Sequence, residues 1–135
     1  ASTATRASPT RCRPSSTHAA FWTLTIGAIG VVYESMGGSV YWAGKPHRPA
    51  YEMAFETAVR HLGRPVGPAD VLVIGDALAT DLAGAASIGI DALFIAGGIH
   101  HRDVMSAGQI DPAALATLFT KSGATAVAAA PALVW

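Results

Sequence analysis

Cysteine is almost absent from this sequence, which contains only Cys12. A single cysteine excludes an internal disulfide and a metal cluster built from cysteines, and it favours a reducing, cytoplasmic location. Charge is also scarce, because charged residues make up 13% of the chain and the formal net charge is zero. That balance predicts neither nucleic acid nor an anionic membrane as a partner. No apolar run approaches the roughly 18 residues of a membrane-spanning helix.

Acidic residues are missing from the start of the chain, where none precedes Glu34. Three arginines, Arg6, Arg11 and Arg13, lie in this stretch among Ala, Ser, Thr and Pro residues that show no apolar period. We therefore predict that residues 1–24 form a low-complexity, disordered leader. Two other interpretations stay open. One is an organelle transit peptide, although the amphipathic face is missing, and the other is translation from a shifted reading frame.

The rest of the chain is rich in apolar residues. Hydrophobic residues make up 51% of the 135 positions, which is enough for the core of a single domain. Apolar residues at helical spacing alternate with short apolar runs that Gly and Pro residues bound. This alternation predicts an α/β fold with a parallel sheet. The predicted helices cover residues 27–36, 49–62, 80–87 and the segment after Asp111-Pro112, and the predicted strands cover residues 39–42, 71–75, 91–96 and 124–129.

The most informative segment is the run Val71–Gly75 with the two aspartates that follow it. Its short, β-branched composition predicts a buried parallel strand. Asp76 comes directly after this strand, at the edge where open α/β sheets bind ligands, and Asp81 follows five positions later. Two carboxylates at this edge suit a hard cation such as Mg²⁺. The alternative is that Asp81 only caps the next helix and that Asp76 is a solvated turn residue.

Lys45 and His47 lie in a Gly-Lys-Pro-His loop after a predicted strand. A lysine at a strand end neutralises a phosphoryl group or holds a carboxylate in place, but an ordinary surface lysine fits the same position. His47 is a candidate for orienting a substrate, with a structural role as the alternative. The adjacent His100 and His101 would point in different directions along an extended segment, so we do not expect them to share a metal ion.

Three stretches taken together resemble the haloacid dehalogenase-like (HAD) superfamily: Tyr41–His47, Ile74–Asp81 and Gly89–His100. The resemblance is to phosphatases with a large cap inserted before the lysine motif, the group that includes NagD-like proteins. A Gly-Lys-Pro loop is weak evidence by itself. Followed by Gly-Asp-x-x-x-x-Asp and a Gly-rich strand end, in this order and spacing, it is specific.

The resemblance also implies a domain organisation. Residues 25–43 match the end of the cap and the return to the core, and residues 44–135 match the C-terminal half of a HAD-like core. The implied fold is a three-layer, Rossmann-like parallel sheet that is incomplete in this chain.

A complete member of the superfamily uses an aspartate nucleophile that attacks a phosphomonoester and forms an aspartyl-phosphate. A second aspartate two residues later acts as general acid and base. The resemblance implies that Lys45 stabilises the nucleophile and the transferring group, and that Asp76 binds Mg²⁺ with support from Asp81. The expected substrate is a small phosphorylated metabolite, which His47 would orient.

The family nucleophile sits in an Asp-x-Asp motif, and this sequence contains none. Its first aspartate, Asp70, already lies beyond Lys45. We therefore expect part of a Mg²⁺-dependent phosphatase that is inactive alone. The alternative is a non-catalytic α/β module that binds a phosphorylated ligand or a protein partner. In both cases, apolar faces that the first half of the family core would cover stay open, which favours self-association.

The shifted-frame interpretation makes a prediction about the encoding DNA. Upstream sequence, translated in the other frames, should contain an Asp-x-Asp motif preceded by an apolar strand. Sequencing that DNA and translating every frame checks the prediction. If no frame contains the motif, the shifted-frame interpretation is wrong.

Overall fold

The computed structural model describes residues 25–134, so the disorder predicted for residues 1–24 lies outside the described residues. The chain divides after Val40 into two units, which are described separately. The boundaries predicted at residues 24/25 and 43/44 stay predictions. Of the helices within residues 25–134, none combines the length and the apolar character needed to cross a membrane.

The first unit contains α1 (Ile26–Ser35). The second contains, in chain order, α2 (Arg48–Leu62), a 3₁₀ turn (Pro68–Asp70), β1 (Leu72–Gly75), a π-helical turn (Leu78–Leu82), α3 (Ala83–Ser87), β2 (Asp91–Ile95), α4 (His101–Val104), β3 (Met105–Ser106), β4 (Gln109–Ile110), α5 (Pro112–Ser122) and β5 (Ala128–Ala130).

α1 confirms the helix predicted over residues 27–36. The Thr25 side chain caps it by accepting a hydrogen bond from the backbone N–H of Ala28 at 3.2 Å. Gly37 follows the helix with a φ of 88°, a conformation that an L side chain rarely adopts. No residue of this described helix is buried, and Ile26 is 90% exposed. The apolar surface of α1 is therefore open in this unit.

The strand predicted over residues 39–42 is wrong, because these residues form no strand. A strand needs a neighbour for its backbone N–H and C=O groups. None of the strands in residues 25–134 pairs with this segment. The β-branched and aromatic residues Val40, Tyr41 and Trp42 suggested a strand, but such preferences depend on the surface against which the side chains pack.

The second unit is built on a three-stranded sheet with the strand order β1-β2-β5. All pairs are parallel, with Leu72 opposite Asp91 and Gly75 opposite Phe94. The helix α3 lies in the connection from β1 to β2, and α5 lies in that from β2 to β5, as parallel strands require. The predicted α/β fold with a Rossmann-like parallel sheet is confirmed. The carboxyl ends of the three strands meet at one edge.

The core of the second unit lies against one face of the sheet. Phe94 is fully buried in β2, and its ring meets that of Phe119 in α5 edge-on, with 5.3 Å between ring centroids. At alternate positions of β1, Leu72 and Ile74 are 47% and 42% exposed. The prediction of β1 as a strand is therefore confirmed, but the prediction that it is buried is wrong, because these side chains lie open among the described residues.

α2 agrees with the helix predicted over residues 49–62. Pro49 occupies the first turn, where its missing N–H costs no helical hydrogen bond. The helix ends at Gly63, whose φ of 65° is left-handed. Tyr51 is the buried residue of α2, and its hydroxyl donates to the carbonyl of Thr80 at 3.3 Å. This contact ties the start of α2 to the segment that follows β1.

The segment after β1 differs from the helix predicted over residues 80–87. A π-helical turn comes first, with the N–H of Leu82 bonded to the carbonyl of Ala77 at 3.2 Å, and α3 begins only at Ala83. Asp81 lies inside the π-helical turn and does not cap α3. Such turns are rare and are frequent at functional sites. Because the Asp81 side chain does not cap α3, it can interact with groups at the carboxyl edge of the sheet.

Short elements follow β2. The segment at His100 and His101 is not extended as expected, because α4 begins at His101, and a small antiparallel pair of strands, β3 and β4, follows it. These elements are too short to show an apolar period. The last helix is confirmed as α5, which Asp111 caps by accepting hydrogen bonds from the N–H groups of Ala113 and Ala114. The last strand is also present, but as Ala128–Ala130 and not over residues 124–129.

Gly84→Ala should lower stability, although Ala is the better helix former. A Cβ at position 84 would meet the hydroxyl and ring of Tyr51, which is only 8% exposed. Because that ring has little room to move, we expect the free energy of unfolding to fall by about 1–3 kcal/mol in urea denaturation. Gly44→Ala is the control, since a Cβ there meets open space. Equal stability of the two variants would contradict the packing argument.

Candidate functional site

Three ionisable side chains lie where β1 ends. Asp76 follows Gly75 directly, Asp81 lies on the π-helical turn, and Lys45 comes from the loop before α2. The carboxyl edge of a parallel sheet is where open α/β folds bind ligands. The structure brings Lys45 into contact with Asp81, and the charge of Asp76 also acts on this lysine. We call Lys45, Asp76 and Asp81 the strand-end site.

The strongest contact of the strand-end site is an ion pair. Lys45 Nζ donates to Asp81 Oδ1 at 2.6 Å. The aspartate side chain is 7% exposed, whereas the lysine side chain is 56% exposed. A carboxylate removed from water requires a charge partner and hydrogen bonds, and Lys45 supplies both. The ammonium is therefore anchored on one side and open to solvent on the other.

The two partners hold each other in their charged forms. Burial acts to raise the pKa of Asp81, but the hydrogen bonds from Lys45 and from the N–H of Ala77, with the lysine charge, leave that pKa below its usual value. The hydrogen bond to Asp81 raises the pKa of Lys45, although burial opposes it. Burial, followed by the charge of Asp81, raises the pKa of Tyr51. At neutral pH the pair is a carboxylate and an ammonium beside a protonated phenol.

The backbone around Asp81 keeps its side chain against the strand end. Its second oxygen, Oδ2, accepts a hydrogen bond from the N–H of Ala77 at 3.1 Å. A Cβ on Gly75 would collide with the Asp81 side chain, so the end of β1 has room for the carboxylate only when it carries glycine. Position 75 therefore requires glycine for a steric reason, in addition to the turn that the chain makes after β1.

Asp76 faces the loop that follows β2. Its Oδ2 accepts a hydrogen bond from the N–H of Ile99 at 2.8 Å. A Cβ on Gly98 would meet the Asp76 side chain, so this approach also requires glycine. Within residues 25–134, the hydrogen bond to Oδ2 leaves Oδ1 of Asp76 without a partner. The contact joins the ends of β1 and β2 and leaves one carboxylate oxygen for a ligand.

The strand-end site suits a magnesium ion that has few protein ligands. Mg²⁺ is commonly held by one or two carboxylates, with waters and substrate phosphate completing its shell. Asp76 fits such a role through Oδ1, whereas both oxygens of Asp81 are already engaged. The described part of the chain contains no group of three or more His, Cys, Asp or Glu side chains placed to hold a metal ion. These carboxylates therefore fit a metal site that water and substrate complete, and not a site in which the protein supplies every ligand.

His47 closes the loop that carries Lys45. Its backbone N–H donates to the carbonyl of Gly44 at 3.0 Å, and it directly precedes α2. Its ring stacks on that of Trp42, with centroids 5.3 Å apart and planes inclined by 20°. The stack holds the imidazole in one orientation. The substrate contact that the sequence predicts for His47 stays a prediction.

A family model described as HAD-hydrolase-like matches residues 42–130. The chain belongs to this HAD-like family. The match includes the strand-end site and all three strands of the parallel sheet. No functionally curated protein matches the chain.

Two solved structures of the HAD-like group are similar to the chain. A haloacid dehalogenase-like hydrolase from Brucella suis 1330 is 38% identical with a TM-score of 0.57, and the match covers 80% of this chain and 36% of that protein. A possible sugar phosphatase from Cytophaga hutchinsonii is 17% identical with a TM-score of 0.54, and the match covers 78% and 33%. The second likeness shows the fold alone. The chain thus spans about a third of the length of these structures.

Sequence reasoning identifies the charged residues of the strand-end site but not the groups that support them. The N–H groups of Ala77 and Ile99, which orient the two aspartates, are backbone donors and leave no side-chain signal. Tyr51 fits the apolar stripe of α2 and is not singled out for the site. Gly75 and Gly98 are the sequence signals that could have indicated these contacts. A glycine near a strand end often means that another group approaches the backbone closely.

Lys45→Met should destabilise the chain at neutral pH. It leaves the Asp81 carboxylate buried without its cation, and we expect a loss of about 1 kcal/mol after allowance for the exposure of the lysine. The depressed pKa of Asp81 stabilises the fold above the ordinary aspartate pKa of about 4 and ceases to do so as the pH falls through the folded-state value. The difference in the free energy of unfolding between wild type and variant should therefore become smaller as the pH is lowered from 7 to 3.

Urea denaturation at several pH values measures this difference. Lys121→Met is the matched control, because Lys121 lies in the last turn of α5, away from the strand-end site. Its effect should be small and independent of pH. A pH-independent loss in Lys45→Met would show that the ion pair does not control the charge of Asp81.

Proposed function

We propose that this chain carries the lysine and metal-binding side of a Mg²⁺-dependent phosphatase that acts on small phosphate monoesters. The observation that carries the proposal is the 2.6 Å contact of Lys45 with buried Asp81, beside Asp76, at the carboxyl edge of a parallel sheet. A fixed cation and a metal-binding carboxylate are what a transferring phosphoryl group requires. Membership of the HAD-like family supports this reaction class.

Lys45 binds phosphoryl oxygens through the exposed side of its ammonium. An ammonium has three N–H donors, and Asp81 accepts one of them. The others are directed away from this contact, where the lysine side chain is open to solvent. Asp81 is a positioning residue, since it holds Nζ at the strand end and keeps it protonated. The ammonium then offsets the charge that develops on the phosphoryl oxygens.

Asp76 would hold the metal ion through Oδ1, and the N–H of Ile99 fixes the orientation of the carboxylate through Oδ2. When bound, Mg²⁺ neutralises phosphoryl charge and orients the reacting groups. The part of the substrate beyond the phosphoryl group is oriented by His47, whose ring is held against Trp42.

The attacking carboxylate is the component that these 135 residues lack, because they contain no Asp-x-Asp motif. An aspartyl-phosphate mechanism therefore needs a nucleophile, and an acid and base group, from outside this sequence. We expect the chain alone to bind ligands at the strand-end site without turning them over. The single cysteine is compatible with a cytoplasmic setting.

The missing motif also favours a second function, a non-catalytic module that binds a phosphorylated ligand. Lys45 would bind the phosphate directly and Asp76 would bind it through a metal ion, as in the enzyme, but no bond would break. Saturable binding of a phosphorylated metabolite would favour this function if hydrolysis stayed absent after a nucleophile-bearing partner was supplied.

The purified chain should release no p-nitrophenol from p-nitrophenyl phosphate above a buffer control, with or without Mg²⁺. Titration with Mg²⁺ should nevertheless shift the ¹⁵N–¹H resonance of Ile99, since its N–H bonds to Asp76. Asp76→Asn should abolish this shift. Asp91→Asn, at the opposite end of β2, should retain it and is the control.

Two outcomes would contradict this proposal. Steady Mg²⁺-dependent turnover that Asp76→Asn abolishes would show that the chain supplies its own nucleophile. An Ile99 resonance that does not respond to Mg²⁺ in the wild-type chain would remove Asp76 as a metal ligand.

A further inference from the structure

Tyr51 is a buried tyrosine at a position where packing alone would also accept phenylalanine. It lies on the apolar stripe of α2, which carries Phe55 one turn later, and it is 8% exposed. A phenol hydroxyl that is buried loses its contact with water and needs a hydrogen-bond partner in the protein. Within residues 25–134, that partner is the carbonyl of Thr80, at 3.3 Å. The carbonyl lies on the π-helical turn that carries Asp81.

The Tyr51 hydroxyl acts on the peptide group from which Asp81 begins. The carbonyl of Thr80 and the N–H of Asp81 belong to one planar peptide unit. Tyr51 donates to this carbonyl, and the N–H donates to the carbonyl of Ala77 at 2.9 Å. The peptide is therefore held at both its polar groups, and the Cα of Asp81 is bonded directly to it. The direction in which the Asp81 side chain leaves the turn thus depends in part on Tyr51.

The helix α3 confines the Tyr51 hydroxyl. A Cβ on Gly84, in the first turn of α3, would collide with the hydroxyl and the ring of Tyr51. The side chain therefore has little room to turn toward another acceptor. Burial, which is the largest influence on this phenol, raises the pKa of Tyr51, so the hydroxyl keeps its proton at neutral pH and remains a donor.

Tyr51 also lies near the cation of the strand-end site. Tyr51 and Lys45 line the same apolar groove of about 410 Å³, and the charges of Lys45 and Asp81 both act on the phenol. Lys45 lies three positions before α2, and Tyr51 lies near the start of that helix. The same end of α2 therefore provides the ammonium and the hydroxyl that orients the partner of the ammonium.

We propose that Tyr51 is a positioning residue of the strand-end site. Its hydroxyl fixes the peptide between Thr80 and Asp81, and Asp81 in turn fixes the place of the Lys45 ammonium. The inference deepens the proposed function and rests on it for the role of the ammonium in binding phosphoryl oxygens. Tyr51 needs no contact with the ligand, because its effect is transmitted through Asp81 and Lys45.

Tyr51→Phe tests this role, since it removes the hydroxyl and keeps the ring that packs in the core. The N–H of Ala77 donates to Oδ2 of Asp81, so its hydrogen exchange reports how firmly the carboxylate is held. We expect this exchange to become roughly three- to tenfold faster, as the loss of one neutral hydrogen bond implies, while the amides of β2 change by less than about twofold. Tyr41→Phe is the matched control, because Tyr41 is 79% exposed, and it should change neither.

A second measurement follows the cation itself. The sequence contains two lysines, Lys45 and Lys121, so a chain labelled with ¹³C-lysine gives two sets of side-chain signals, which Lys121→Met assigns. Inorganic phosphate with Mg²⁺ should shift the Lys45 signal of the wild-type chain. In Tyr51→Phe, we expect the apparent dissociation constant for phosphate to rise roughly three- to tenfold. The Lys121 signal, from the last turn of α5, is the internal control.

Tyr51 has no positioning role if the Ala77 amide of Tyr51→Phe exchanges at the wild-type rate, or if phosphate binds this variant as tightly as the wild type. The same conclusion follows if the β2 amides accelerate as much as that of Ala77, because the hydroxyl would then contribute only to overall stability. Failure of the proposed function gives a different result. Phosphate with Mg²⁺ would leave the Lys45 signal of the wild-type chain unchanged, while the effect of Tyr51→Phe on Ala77 exchange would persist.

Discussion

The buried carboxylate of Asp81 is the constraint on which the strand-end site depends. A carboxylate with 7% of its side chain exposed is stable in its charged form only if donors surround it. Lys45 meets one oxygen and the N–H of Ala77 meets the other. The glycine at the end of β1, the π-helical turn and the loop before α2 all act to bring these groups together. The position of the cation follows from the need to bury that charge.

Much of this arrangement can be predicted from the sequence, because the position of a residue at the end of a strand depends only on the residues next to it. Val71–Gly75 predicts a strand, and Asp76 must then lie at its carboxyl edge whatever the rest of the chain does. The Gly-Lys-Pro loop before a well-patterned helix similarly predicts a lysine at the start of α2. What brings Lys45 and Asp81 together is tertiary packing, and only the family resemblance anticipates it.

The remaining features depend on neighbours that a sequence pattern does not show. The π-helical turn overlaps the predicted start of the helix over residues 80–87, and the hydrogen bond from the N–H of Ala77 to Asp81 that accompanies it has no signature in the apolar pattern. The exposure of Leu72 and Ile74 depends on what lies beside β1. Their apolar character indicates only that some other group should cover them. The segment 39–42 has strand-forming residues but no strand to pair with. In each case the surroundings of the segment, and not its local preference, decided the outcome.

The two close approaches of glycine to aspartate have a consequence for evolution. Position 75 is limited by the carboxylate at 81, and position 98 by the carboxylate at 76, because a methyl group at either glycine would occupy the space of its acid. Each pair should therefore change together in homologues, although 76 and 98 are distant in the chain. Homologues that acquire a side chain at one of these glycines should lose the aspartate that faces it, so a lineage that has abandoned this chemistry leaves a paired trace.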